Sequence, residues 1–253
     1  MLTAITRDIS PAFERCELTH LQRQPIDLAR ARRQHEAYEA CLASLGCRVQ
    51  RLPAGEEMPD SVFVEDCAVV LDEIAVITRP GAPSRRPEVR AVEDALRPHR
   101  PTVRIAAPGT IDGGDVLRVG RRLFVGISTR TTRLAVDELA GLVKPMGYEV
   151  IPAEVRGCLH LKSAVTEVAP GVLLTNPDWV GDWVRAFDRI DIDPSEPMAA
   201  NALRLGETLV FPCAFPRTRE RLEARGLATR AVEVSELAKA EGAVTCCSLV
   251  FDA

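Results

Sequence analysis

The groups in this chain best suited to covalent or proton-transfer chemistry are eight cysteines, at positions 16, 41, 47, 67, 158, 213, 246 and 247, and four histidines, at 20, 35, 99 and 160. No cysteine pair has the CxxC spacing of zinc ribbons or redox motifs, so reduced thiols are expected, most of them serving as small buried hydrophobes. A zinc site drawn from Cys158, His160, Cys246 and Cys247 has the stoichiometry but lacks the ligand spacing. His35 lies beside Arg32 and Arg33, His99 follows Pro98 in a basic loop, and His20 falls in an extended segment. His160, in Cys158-Leu159-His160-Leu161-Lys162, alternates with leucines, which sends its ring to the opposite face of a strand. It is the best candidate general acid and base, although a lone strand histidine is more often structural. Thr245-Cys246-Cys247-Ser248 supplies a candidate nucleophile. Joined by a carboxylate, the thiol and imidazole would form a nucleophile, base and orienter.

Carboxylates are placed unusually. Asp60, Glu65 and Asp66 lie within an otherwise apolar run, Asp60-Ser61-Val62-Phe63-Val64-Glu65-Asp66. Burying unpaired acids costs several kcal/mol each, so they need either internal Arg or Lys partners or a cationic ligand. A planar guanidinium, with five donors, suits such a cluster better than an ammonium. Asp112-Gly113-Gly114-Asp115 adds two more acids around glycines that permit close backbone approach or a positive φ, and that read otherwise as an ordinary turn. Arg85 and Arg130 each follow an apolar strand. They are either solvated loop charges or a clamp for a carboxylate, in which case the ligand is cationic at one end and anionic at the other. Phosphate loops of the GxGxxG or GxxxxGKS/T kind are absent.

The elements that must position these residues recur. A block of apolar strand with a polar start, Gly or acidic turn and second apolar strand begins at Ser61, Thr110, Leu159 and Ala199, and a fifth copy from Ala243 stops after its first strand. Thr3-Ala4-Ile5-Thr6-Arg7 resembles Val76-Ile77-Thr78-Arg79 and could supply the missing strand, so pairing of the N- and C-terminal strands would close a ring. Between hairpins, helices predicted at 27–45, 87–96, 131–146, 179–187 and 218–225 precede strands at 48–52, 103–107, 148–151, 190–192 and 228–234. The expected fold is α/β. Five ββαβ repeats make a pseudo-fivefold propeller, residues 1–253 form a single domain with helices outside, and the polar hairpin starts converge on an axial pocket. In a strand starting near Val244, alternation places Cys247, Leu249 and Phe251 on one face and Cys246, Ser248 and Val250 on the other, which makes Cys246 the pocket thiol.

Composition excludes several classes. With 253 residues, 46% hydrophobic and 27% charged, the chain can bury a full core without metal or disulfide staples. Its 32 Lys and Arg against 36 Asp and Glu give a net charge of -4, spread evenly, which argues against nucleic acid and anionic membranes as partners. No apolar run approaches the roughly 18 residues of a membrane span, and the N-terminus lacks a signal-like pattern, so a cytoplasmic location is expected.

Taken together, PDSVFVED at 59–66, ITRPGAPSRR at 77–86, GTIDGGDVL at 109–117, LHLKS at 159–163, AAN at 199–201 and VTCCS at 244–248 resemble the dimethylarginine dimethylaminohydrolase family of the guanidine-modifying superfamily, over essentially the whole chain. The resemblance implies a five-bladed αβ propeller. It implies Cys246 as nucleophile, His160 as general acid and then base, and Asp112 as the orienting carboxylate. Asp60, Glu65 and Asp66 would receive the guanidinium, Arg85 and Arg130 the substrate carboxylate, and the backbone of Leu18 and Ala240 the α-amino group, with Leu18 in a loop able to cover the pocket. The implied reaction converts methylated arginines to L-citrulline through a thiouronium, without metal or cofactor. The partner is then a small guanidino amino acid, and pairing of two copies stays open. Competing readings are an arginine or agmatine deiminase and a noncatalytic propeller that only binds.

Overall fold

The apolar runs that read as strands pair into five sheets of three strands. The computed structural model describes residues 1–253. One sheet holds β1 (Leu2–Arg7), β2 (Arg48–Leu52) and β15 (Leu249–Asp252), and a second β3 (Ala68–Val70), β4 (Ala75–Ile77) and β5 (Thr102–Arg104). The third holds β6 (Val116–Val119), β7 (Arg122–Gly126) and β8 (Glu149–Ala153). The fourth holds β9 (Val165–Ala169), β10 (Val172–Thr175) and β11 (Asp188–Asp191), and the fifth β12 (Leu203–Leu205), β13 (Thr208–Pro212) and β14 (Ala228–Val232). In every sheet the middle strand pairs antiparallel with one neighbour and parallel with the other. Tight turns join the hairpins, and Gly120, Gly171 and Gly206 occupy them at φ of 60°, 74° and 60°, where a Cβ would be strained. β1 and β15 pair in the register Leu2 with Asp252 to Ile5 with Leu249, bringing the two ends of the chain into one sheet.

Parallel pairing needs a crossover, and helices provide it. They are α1 (Leu28–Ser44), α2 (Val89–Leu96), α3 (Arg133–Val143) and, after the four-residue α4 (Leu161–Ala164), α5 (Pro216–Ala224); a last short helix, α6 (Ser235–Ala238), follows β14. Asp27 caps α1 by accepting from the backbone N–H of Arg30 at 2.9 Å, and Ala31, His35, Tyr38 and Leu42 form its buried face. The apolar side chains gather in five clusters, the largest of 19 buried residues where α1 packs toward β13, β14 and α6. No helix is long and apolar enough to cross a membrane.

Three expectations need correction. The polar starts of the hairpins are not strand. They are single helical turns at Val64–Cys67, Gly113–Asp115 and Leu161–Ala164, and a turn at 244–247 before β15. Strand alternation would throw Glu65 and Asp66 to opposite faces, whereas successive residues of a turn lie about a third of a revolution apart and can crowd toward one axis. Secondly, the helix expected at 179–187 is only a short 3₁₀ turn, Asp182–Ala186, where Trp183 stacks on Phe124 with centroids 4.5 Å apart. Thirdly, the strand expected near Val244 begins at Leu249, so strand alternation does not govern Cys246 and Cys247.

Candidate active site

The turns that open the hairpins meet near the axis, and the side chains they carry bond across blades. His160 is the residue just before α4, and its Nε2 lies 3.0 Å from Oδ2 of Asp112. Asp112 is fully buried, and its Oδ1 accepts from the N–H of Gly81 at 2.8 Å, so the carboxylate is fixed at both oxygens. The other imidazole nitrogen lies 3.8 Å from Asp66. Burial alone would lower the imidazole's pKa, but the charges of Asp66, Asp115 and Asp112 and the hydrogen bond to Asp112 raise it to about 9. His160 is therefore a cation at neutral pH. Close approach, rather than a positive φ, explains one glycine of the Asp112–Asp115 turn. A Cβ on Gly114 would stand 2.6 Å from Nδ1 of His160 and 2.8 Å from Oδ1 of Asp66.

Cys246 and His160 line one narrow cavity, together with Asp60, Asp66, Arg85, Arg130 and Ala240. The partly buried Cys246 Sγ accepts from the N–H of Ala243 at 3.4 Å. Burial, with the charges of Glu65 and Asp66, pushes its thiol up to about 12. Cys247 is fully buried in the largest apolar cluster, its Sγ donating to the carbonyl of Ala243 at 3.4 Å. Burial raises this thiol too.

The structure answers the question of what neutralises the carboxylates, and the answer differs for each. Glu65 accepts from Lys162 Nζ at 2.5 Å and Thr245 Oγ1 at 2.8 Å, and it lines a separate cavity that contains neither Cys246 nor His160. Asp66 is bonded to Arg85 Nη1 at 2.5 Å and to the N–H of Gly114 at 2.9 Å. Burial would raise Asp66, but His160 and Arg85 hold it down at about 2. Asp60 accepts only from the backbone N–H of Glu17, at 3.1 and 3.3 Å, and burial raises it.

The two arginines part company. Arg85 is 4% exposed and all its nitrogens are engaged, by Asp66, by Glu88, and by the carbonyls of Asp60 and Phe63. Glu88, buried beside it, is itself raised to about 7 by burial. Arg130 is half-exposed at the cavity and makes one side-chain bond, from Nη2 to Thr19 Oγ1 at 3.2 Å. Leu18 lies in the loop before α1 and packs against the largest apolar cluster; its neighbour Glu17 lines the cavity.

Several residues that hold this arrangement carry no role in the sequence reading. Buried Asp115 accepts from Ser128 Oγ and Thr131 Oγ1, both at 2.6 Å, and from the N–H of Leu161 at 2.9 Å, joining the turn before β6, the loop that carries Arg130 and the start of α4. Asn201 donates to Thr245 Oγ1 at 2.9 Å and accepts from its N–H at 3.0 Å, steadying the cysteine turn. The spacing of Asp115 from Asp112 was a signal, because a second acid three residues along a glycine turn must also find a partner. As for metal, the one group of candidate ligand atoms within 4.8 Å of each other is Asp66, Asp112 and His160, and the Cys158, His160, Cys246 and Cys247 set is not assembled.

No family model matches the chain. A dimethylarginine dimethylaminohydrolase of Streptomyces coelicolor is 37% identical over 247 residues, covering 97% of this chain and 95% of that one. Among solved structures, the dimethylarginine dimethylaminohydrolase of Pseudomonas aeruginosa, as a cysteine-to-serine variant complexed with citrulline, superposes with a TM-score of 0.93 at 32% identity, covering 99% and 100% of the two chains. A histidine-to-glycine variant of such an enzyme, as an adduct with S-methyl-L-thiocitrulline, gives 0.91 at 32% identity over 99% and 100%.

Proposed function

The chain belongs to the dimethylarginine dimethylaminohydrolase family, and from that premise we propose that Cys246, His160 and Asp112 cleave methylated arginine as nucleophile, acid-base and orienter. The overall reaction converts asymmetric dimethylarginine or monomethylarginine to L-citrulline and dimethylamine or methylamine. The observation that carries the assignment of roles is the 3.0 Å pair of His160 and Asp112 opening on the same cavity as Cys246.

The electrostatics suggest the order of events. With the thiol near 12 and the imidazole near 9, the empty site at neutral pH holds a neutral thiol and an imidazolium. A guanidinium beside Asp60 and Asp66 brings the positive charge that favours thiolate. The thiol proton leaves to solvent, and the thiolate adds to the central guanidinium carbon. His160 then gives its proton to the departing amine, and Asp112 keeps the ring oriented. A thiouronium on Cys246 results. His160, now neutral, takes a proton from the water that attacks it, and the thiolate leaves as citrulline forms. Arg130 binds the substrate carboxylate. Arg85, saturated by Asp66 and Glu88, acts beneath it as the cation that holds Asp66 in place.

The test is citrulline formation from arginine, monomethylarginine, asymmetric dimethylarginine and agmatine, each at saturating and subsaturating concentration. Methylated substrates should lead. A preference for agmatine, which has no carboxylate, would remove Arg130 from the site.

A further inference from the structure

Glu241 is the one residue other than glycine with a positive φ, at 59°. It follows α6, where a left-handed residue that ends a helical turn is ordinarily Gly or Asn. An L side chain with a Cβ is strained there, and such strain persists where the surroundings demand it. The demand comes from across the cavity. The Glu241 carboxylate accepts three consecutive backbone N–H groups of the loop before α1, from Thr19 at 3.1 Å to each oxygen, from His20 at 2.5 Å and from Leu21 at 2.6 Å.

The loop has other anchors, and they point the same way. Its Thr19 hydroxyl accepts from Arg130, and its Glu17 N–H donates to Asp60. Each partner lines the cavity that holds Cys246, as Glu241 does. Glu241 also borders an adjoining apolar cavity, where Leu21 of the loop sits among Met198, Phe215 and Ala238. The residues that hold the loop thus line the cavity that holds Cys246, at the end where Arg130 would meet the substrate carboxylate.

We propose that Glu241 is a positioning residue that latches the Thr19–Leu21 loop over the cavity, so that it sets affinity for the amino-acid end of the substrate rather than the rate of bond breaking. The part concerning the substrate rests on the reaction assigned above; the latch itself does not. In Glu241→Gln the side chain keeps its shape but loses the charge that strengthens three bonds. In Glu241→Gly the acceptor is gone and the left-handed backbone is relaxed, so the melting temperature should hold or rise.

Two measurements test this. Limited trypsin digestion without ligand reads the loop directly, because Arg23 lies in its exposed continuation. Cleavage after Arg23 should be several-fold faster in both variants. Methylarginine KM should rise roughly tenfold, the effect of losing a charge-assisted bond, with a much smaller change in kcat. Wild-type cleavage rates and KM in both variants would overturn the latch, as would a fall in kcat at unchanged KM. A protein inert toward methylarginines whose Glu241→Gln and Glu241→Gly variants are still cut faster after Arg23 would keep the latch and discard the substrate assignment.

Discussion

A thiol near 12 beside an imidazole near 9 leaves sulfur protonated in the empty site, first through burial and next through the charge of Glu65. Its charge raises the Cys246 thiol, while its own carboxylate is held by Lys162 and Thr245. Removing that charge by Glu65→Gln leaves Lys162 as an unmatched cation nearby, and both changes lower the thiol pKa. Alkylation of Cys246 by neutral iodoacetamide, followed by mass spectrometry against pH, should show its midpoint displaced to lower pH in the variant while methylarginine hydrolysis falls. An unmoved or raised midpoint would refute this account. The two arginines should separate as sharply. Arg130→Ala should raise KM far more than it lowers kcat, since it lies remote from the breaking bond. Arg85→Ala leaves Asp66 and Glu88 buried without their cation and should cost about 3–5 kcal/mol of stability in denaturant melts. Equal stabilities of the two variants would put Arg85 back among free clamps. Sequence alone showed two arginines in similar places after strands; which one is saturated depends on Glu88, three residues from Arg85 but invisible as a partner until the turn folds it inward.

At the level of elements, the hairpin pattern was legible because alternating apolar runs and glycine turns encode it locally. Helical turns at the hairpin starts were not, since SVFVED has the composition of a strand and its bonds reach distant residues, such as the carbonyl of Cys246 that accepts from the N–H of Glu65 at 3.2 Å. The same holds for Thr245 to Cys247, where the argument from alternating faces lost its premise although Cys247 is indeed buried. Gly114 offers a test of how closely these turns interlock. A methyl group there must displace the His160 ring or the Asp66 carboxylate, both within 2.8 Å of where it would stand. Gly114→Ala should therefore lower kcat at least tenfold, as misplacement of an acid-base group does, while the far-UV spectrum stays that of the native fold. Wild-type kcat would show that the ring and carboxylate shift freely.

Across the whole molecule, the N-terminal amine of Met1 lies 3.4 Å from the carbonyl of Ala253, and β1 is the middle strand of its sheet, between β2 and β15. Pairing of β1 with β15 could be read from the similarity of residues 3–7 to 76–79, a repeat signal that survives because every blade solves the same packing problem. Joining residues 1 and 253 by a short linker and opening the chain at Gly206, in the exposed turn between β12 and β13, should give a circular permutant with native circular dichroism and the original citrulline-forming rate. An unfolded permutant would mean that the order of the blades along the chain, and not only their arrangement, is needed to fold. The place of Cys246, just before β15, has a further consequence for protein synthesis. When the four sheets built from β3 to β14 have all been synthesised, β1 still lacks its hairpin partner and the site still lacks its sulfur. The strand that pairs with β1 leaves the exit tunnel directly behind Cys246, so a nascent chain gains this thiol and the partner of β1 one after the other.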